Sequence, residues 1–268
     1  MMPPSSTDYA AFDANRAAQA VIAARRGRRV LDRLPPEVAP RSLADGIAAQ
    51  VAVAQLSGAW PPAGFKIGAT AKRMQAYLGL PGPAAGFMAE AGLHGSGSTL
   101  SSTAFLNPGV ECELAVVLAH DILPGPCTAL QVSAAVGELM AAIEIVENRN
   151  GALDCLDTPT LVADQVFHAA AIVGTPYPGW RDLDLGGLCG TLWVNGHERG
   201  TGCGEDLLGG PMTALAWLAA SDEVAAFGGL RAGHVIMLGS VTPPIWLDGP
   251  AHIEVRFPPL PTVVLDLV

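Results

Sequence analysis

Apolar positions recur along this chain with two different periods, and the change from one to the other divides it. From about Asp8 to Arg29 alanines dominate, and Phe12, Ala18, Val21 and Ile22 fall at the spacing of one helix face. Pro35, Pro36 and Pro40 interrupt this pattern. Ser42 is then placed to cap a second helix through about Leu56, with Leu43, Ile47 and Val51 on one side. After Trp60-Pro61-Pro62 the runs become short and apolar or alternating: GFKIGA, VECELAVVLA, AAIEIV, GTLWVNG, HVIMLGSV and HIEVRF read as strands. Helices are predicted among them over Thr70–Leu78, Thr128–Leu139 and Pro211–Ala220, the last with proline in its first turn. Strands and helices without regular βαβ alternation predict an α+β fold. Residues 1–60 form its helical segment and residues 61–268 its larger mixed domain.

Composition narrows the function classes. Half of the 268 residues are apolar and 15% are charged, which excludes global disorder. Glycine (31) and proline (22) recur without a period, so many turns are expected and a collagen-like chain is not. The net charge of −10 argues against a nucleic-acid binder. No apolar run approaches the roughly 18–20 residues of a bilayer span. The opening MMPPSSTDYAAFDAN lacks the charged and apolar regions of a signal peptide. Cysteines 112, 127, 155, 189 and 203 are odd in number and never spaced CxxC, which predicts neither a disulfide framework nor a zinc knuckle and fits a reducing cytoplasm. Phosphate-loop and dinucleotide fingerprints are missing, and GSGS at 95–98 reads as a loop.

Charge is unevenly spread. Residues 1–73 hold ten basic and five acidic side chains, a balance of +5, and the remainder holds five and twenty, a balance of −15. Arg25, Arg26, Arg28 and Arg29 read as a solvated helix end that complements the helix dipole. A basic N-terminal part on an acidic body also gives subunits a means of assembly.

The chemistry concentrates in carboxylates. In PGVECELAVVL, strand periodicity puts Glu111 and Glu113 on one face, about 7 Å apart. Glu144 interrupts the apolar AAIEIV. Like charges near buried strands need solvent, a raised pKa or a bound cation. Three glutamates without a basic neighbour in sequence suit a hard cation such as Mg²⁺ or Mn²⁺. Only two lysines occur, and one of them, Lys66, lies in the apolar GFKIG, where it needs an anionic partner.

GFKIGAT, VECELAVVL, AIEIVENR, LVADQ, GCGEDLLGGPMTALAWLA and LRAGHVIMLGSVT appear in this order in the sequence, from about Leu34 to Phe257. The set resembles the 2-keto-4-pentenoate hydratases, in the hydratase/decarboxylase branch of the fumarylacetoacetate hydrolase superfamily. The resemblance implies a mixed β-sandwich or β-roll core and a homo-oligomer. It also implies a metal site at Glu111, Glu113 and Glu144, an active-site role for Lys66, and a place for Ser240 and Thr242 beside a substrate carboxylate. The expected chemistry is hydration of a 2-hydroxy-2,4-dienoate to a 4-hydroxy-2-oxo acid. A 4-oxalocrotonate-type decarboxylase and a catalytically weakened oligomeric partner are the alternatives, and a fumarylpyruvate-type hydrolase fits less well because no histidine precedes His94.

Three segments depart from the resemblance. Pro83-Ala84-Ala85-Gly86 stands where such hydratases carry an aspartate in a PDFG-like segment. Gln165, Phe167 and His168 replace smaller groups after VAD, and Glu147 stands where an aspartate is common. The proton carriers left to consider are His168, Glu147 and a water on the metal. Gln165 and His168 are expected to face the substrate tail and to favour a polar or anionic one.

Overall fold

The computed structural model describes residues 11–31, 33–149 and 157–268. Helix α1 (Ala14–Arg26) starts where Asp13 accepts from the backbone N–H groups of Asn15 and Arg16. Helix α2 (Leu43–Ser57) starts where Ser42 accepts from Asp45 N–H, and left-handed Gly58 closes it. Both ends follow from capping chemistry that the sequence displays. Residues 8–10, where the first helix was expected to begin, lie outside the described residues.

The described strands are β1 (Gly64–Gly68), β2 (Ala84–Met88), β3 (Leu93–Gly95), β4 (Ser98–Leu100), β5 (Pro108–Leu118), β6 (Val136–Glu147), β7 (His168–Val173), β8 (Cys189–Val194), β9 (His197–Cys203), β10 (Val235–Ser240), β11 (Ile245–Trp246), β12 (Ala251–Arg256) and β13 (Val263–Leu267). Between them run α3 (Lys72–Tyr77), α4 (Ala129–Ala135), α5 (Thr158–Ala163), α6 (Pro211–Ala219) and α7 (Asp222–Ala226). One mixed sheet has the order β2-β1-β10-β5-β6-β7-β3, with β11 added beside β5. The second has the order β4-β13-β12-β8-β9.

Alternation gives the first sheet two different faces. One carries Phe65, Ile67, Val110, Leu114, Ile143 and Ile145 into a large core with Ile253, Val255, Val263 and Leu265 of the second sheet. Val21 of α1 and Val53 of α2 join the same core, so the helical segment and the strands share one interior. The opposite face has a smaller apolar cluster that includes Met88, Ala115, Met140, Ala142 and Met237. Lys66, Glu113 and Glu144 stand on this second face.

Three sequence expectations change. The helix predicted over Thr128–Leu139 ends at Ala135, because Val136 onward pairs with β5, and cross-strand packing outweighs local helix preference there. Strands β2 and β7 lacked the alternating signal because both faces of these alanine-rich segments are largely buried. The expectation of no disulfide is corrected: Cys189 and Cys203 are register partners across β8 and β9 and are bonded. They are 14 residues apart, so spacing gave no cue. Cys112 and Cys127 are free, and Cys155 lies outside the described residues. Among the described residues, no helix is long and apolar enough to cross a membrane.

Candidate metal centre and cavity

Glu111 and Glu144 are direct register partners on antiparallel β5 and β6. Glu113, two residues along β5, projects from the same face and lies opposite Ala142. One ligand atom from each carboxylate lies within 4.8 Å of the others. Like charges placed directly opposite destabilise a sheet unless something compensates them. Burial, with the Glu144 charge beside it, pushes the Glu111 carboxyl up to about 8. Burial and the neighbouring glutamates hold Glu113 well above the usual carboxylate range. Burial opposes ionisation of Glu144 too, but Lys66 and His168 outweigh it and bring that carboxyl below its ordinary value.

The donor set fits a hard divalent cation. Among the described residues, Glu113 Oε1 and Glu144 Oε2 are buried without a hydrogen-bond partner, and oxygen-only ligation by carboxylates is what Mg²⁺, Mn²⁺ and Ca²⁺ take. The other Glu113 oxygen accepts from Gly239 N–H at 3.0 Å. Gly239 has φ +105°, within a register irregularity of β10. A glycine is required there, since a Cβ would lie 2.5 Å from Thr70 Cγ2.

Lys66 answers the cluster from β1. It is 2% exposed, with Nζ 3.5 Å from Glu144 Oε1 and donating to the Val166 carbonyl at 2.5 Å. His168 Nδ1 lies 2.8 Å from the same Glu144 oxygen. Burial lowers the His168 pKa, against the pull of Glu144.

The carbonyl that receives Lys66 belongs to an unusual turn. Gln165, Val166 and Phe167 have φ of 59°, 50° and 67°, three left-handed residues in succession, none a glycine. Such residues cost of order 1–3 kcal/mol each and persist only when their surroundings hold them. Asp164 supplies the hold: one oxygen accepts from Arg149 Nε and the other from Arg25 Nε, each at 2.6 Å. Arg149 also donates to the carbonyls of Asp164 and His168. The Gln165 amide reaches the Phe87 carbonyl at 2.6 Å, and its oxygen accepts from Arg25 Nη1. Arg25 is therefore no part of a solvated helix end, which corrects the sequence reading; Arg26, Arg28 and Arg29 are exposed as expected.

A cavity of about 550 Å³ opens over this face. Lys66, Glu111, Ser240, Thr242 and Phe167 line it, with Met74, Val146, Val241 and Trp246 as apolar walls. Gln165, Glu147 and His168 instead border a second cavity, on the side of Arg25 and Arg149. Glu147 pairs with Arg149 at 2.8 Å and accepts from Leu106 N–H. Ser240 Oγ donates to the Thr242 carbonyl at 2.6 Å, and Thr242 Oγ1 accepts from Cys112 N–H at 3.4 Å. Sequence reasoning missed Arg73, Thr201 and Asp206 in the lining, because only the fold brings these exposed polar residues to one opening.

Residues 65–268 match the C-terminal domain of fumarylacetoacetate (FAA) hydrolase. The chain belongs to the fumarylacetoacetate hydrolase family. It is 33% identical to a 2-keto-4-pentenoate hydratase of Burkholderia vietnamiensis (strain G4 / LMG 22486), over 71% of this chain and 74% of the relative. It is 31% identical to a 2-oxo-hept-4-ene-1,7-dioate hydratase of Escherichia coli, over 68% and 70%. A structure of 4-oxalocrotonate decarboxylase from Pseudomonas putida G7, complexed with magnesium and adipate, superposes with a TM-score of 0.86 at 25% identity, covering 95% of this chain and 97% of that one. Membership in this family accounts for the two-sheet architecture.

Proposed function

We propose that the protein is a divalent-metal-dependent hydro-lyase that adds water to a 2-hydroxy-2,4-dienoate of the 2-keto-4-pentenoate type, giving a 4-hydroxy-2-oxo acid. The observation that carries this reading is the convergence of Glu111, Glu113 and Glu144 with the Lys66 ammonium beside a largely apolar cavity. Glu111, Glu113 and Glu144 would hold a Mg²⁺ or Mn²⁺ ion, which would supply Lewis acidity to a 2-oxo acid. Lys66 offsets negative charge on the substrate head from a fixed position, since the Val166 carbonyl and Glu144 hold its ammonium. The Ser240 hydroxyl donates to the Thr242 carbonyl, which leaves Thr242 Oγ1, 3.5 Å from Ser240 Oγ, to donate either to Ser240 or to a substrate carboxylate.

The proton carrier is a separate question. His168 and Glu147 do not line the cavity; His168 orients Glu144, and Glu147 is paired with Arg149. Among the described residues, Glu111 and Asp206 are the carboxylates in the lining. Asp206 Oδ2 accepts from Cys203 N–H at 2.8 Å, which leaves Oδ1 for proton exchange with water or the substrate tail. We assign that role to Asp206, in place of the aspartate absent at Ala84.

Decarboxylation is the second reading, supported by the likeness to 4-oxalocrotonate decarboxylase and by Ala84, since loss of CO₂ needs no activated water. The test is turnover of 2-hydroxypenta-2,4-dienoate beside 2-oxohex-3-enedioate, each with Mg²⁺ and with EDTA. Metal-dependent loss of the first supports hydration. CO₂ release from the second alone supports decarboxylation, and no turnover of either supports a catalytically weakened partner. A homo-oligomer belongs to the same reading. Its support is less the helical segment, most of whose apolar residues are covered in the core, than Leu123 and Leu130, which are 74% and 82% exposed. Light scattering is expected to give a mass above the 27.5 kDa of one chain.

A further inference from the structure

We infer that Arg73 is a specificity-determining residue that binds a second, distal carboxylate, so that the preferred substrates are dicarboxylic 2-oxo acids rather than acids with a hydrocarbon tail. The inference rests on the reading of the cavity as a 2-oxo acid site. Among the described residues, Lys66 and Arg73 are the cations in the cavity lining. Lys66 is fixed at the cluster by Glu144 and Val166, so it serves the head of a ligand. Arg73 is exposed on α3, and no ion pair or hydrogen bond engages its guanidinium among the described residues. Asp206, the lining carboxylate outside the cluster, is turned to Cys203 N–H and forms no salt bridge with it.

α3 is held over the cavity rather than left to drift. Gln75 donates to the Ala69 carbonyl at 2.9 Å, which ties the helix back to the segment leaving β1. Thr70 stands so close to Gly239 that no side chain fits between them, and Gly239 is the residue that donates to Glu113. Arg73 follows Thr70 by three residues, so its long side chain works from an anchored base at the same opening. Met74 and Phe167 give the lining an apolar stretch suited to a short carbon chain. A guanidinium offers a carboxylate two parallel hydrogen bonds together with charge, and no hydrocarbon tail uses either.

The experiment compares 2-oxohexanedioate with 2-oxohexanoate, which differ only in the distal carboxylate, by calorimetry on the full-length protein with saturating Mg²⁺. The wild-type protein is expected to bind the dicarboxylate at least about tenfold more tightly, with a preference that shrinks as salt rises. Arg73→Gln should reduce the preference to within about twofold while leaving 2-oxohexanoate unchanged, and Arg73→Lys should keep part of it. Because Arg73 is exposed, these variants are expected to fold, which circular dichroism checks. Equal binding of both acids by the wild type, or a preference that survives Arg73→Gln, overturns the proposal alone. Failure of both acids to bind in Mg²⁺ overturns it together with the reading of the cavity beneath it.

Discussion

Glu113 sits where the fold concentrates negative charge, with one oxygen held by Gly239 N–H and the other facing Glu111 and Glu144. Glu113→Gln keeps the size of the side chain and the backbone bond but removes a ligand. Mg²⁺ should therefore raise the melting temperature of the wild type and leave that of Glu113→Gln unmoved, as differential scanning calorimetry would record. Lys66→Met removes a charge aimed at the reacting head and should lower kcat about 100- to 1000-fold, the scale of losing one electrostatic stabiliser. Asp206→Asn should also depress hydration, yet leave the Mg²⁺-induced rise in melting temperature intact, which separates proton exchange from metal binding. At this scale the sequence was partly legible. Three glutamates and a lysine in apolar surroundings declare themselves, because buried charge always needs a partner. Arg73 and Asp206 did not, since an exposed charge in a loop or short helix looks like any other until the fold shows what it borders.

The left-handed Gln165-Val166-Phe167 turn depends on neighbouring elements giving it room. At Gly86 in β2 a Cβ would lie 2.7 Å from the Gln165 carbonyl oxygen, and that oxygen belongs to the backbone, so it cannot swing aside. Gly86→Ala should destabilise the protein by about 1–3 kcal/mol in urea titration, as overpacking does. It should also lower activity at temperatures where the variant is fully folded, because the displaced turn carries the carbonyl that fixes Lys66. The two N-terminal helices were readable from Ser42 and from the alanine-rich periodicity. So were the strands that contain GFKIG and VECELAVVL. β2 and β7 were not, because alanine and glycine buried on both faces produce no alternation. The turn itself was invisible, as nothing local in Gln-Val-Phe asks for left-handed backbone; ion pairs from residues far away in sequence impose it.

For the molecule as a whole, pH acts through groups away from the cavity as well. Glu223 is mostly buried at α7, accepts from Ala85 N–H at 3.1 Å, and burial raises its pKa. Below the ordinary carboxyl range, folded and unfolded chains both keep this proton. As pH rises above it, the unfolded chain releases the proton first, and the contribution of Glu223 to stability is lost until the folded pKa is passed. Glu223→Gln keeps an oxygen for Ala85 and no longer titrates. Its melting temperature relative to wild type should therefore climb between pH 4 and pH 7, and a flat difference would show that Glu223 does not titrate as its burial requires. The long reach of Arg25 has a practical meaning of another kind. Helix α1 holds, through Asp164, a turn that only exists 140 residues later, so this helix is a keystone and not a handle. Trimming it, or crowding it with an affinity tag, risks a preparation that expresses well and keeps its sheets but has lost its catalytic geometry, and an assay on such material would mistake a purification choice for a property of the enzyme.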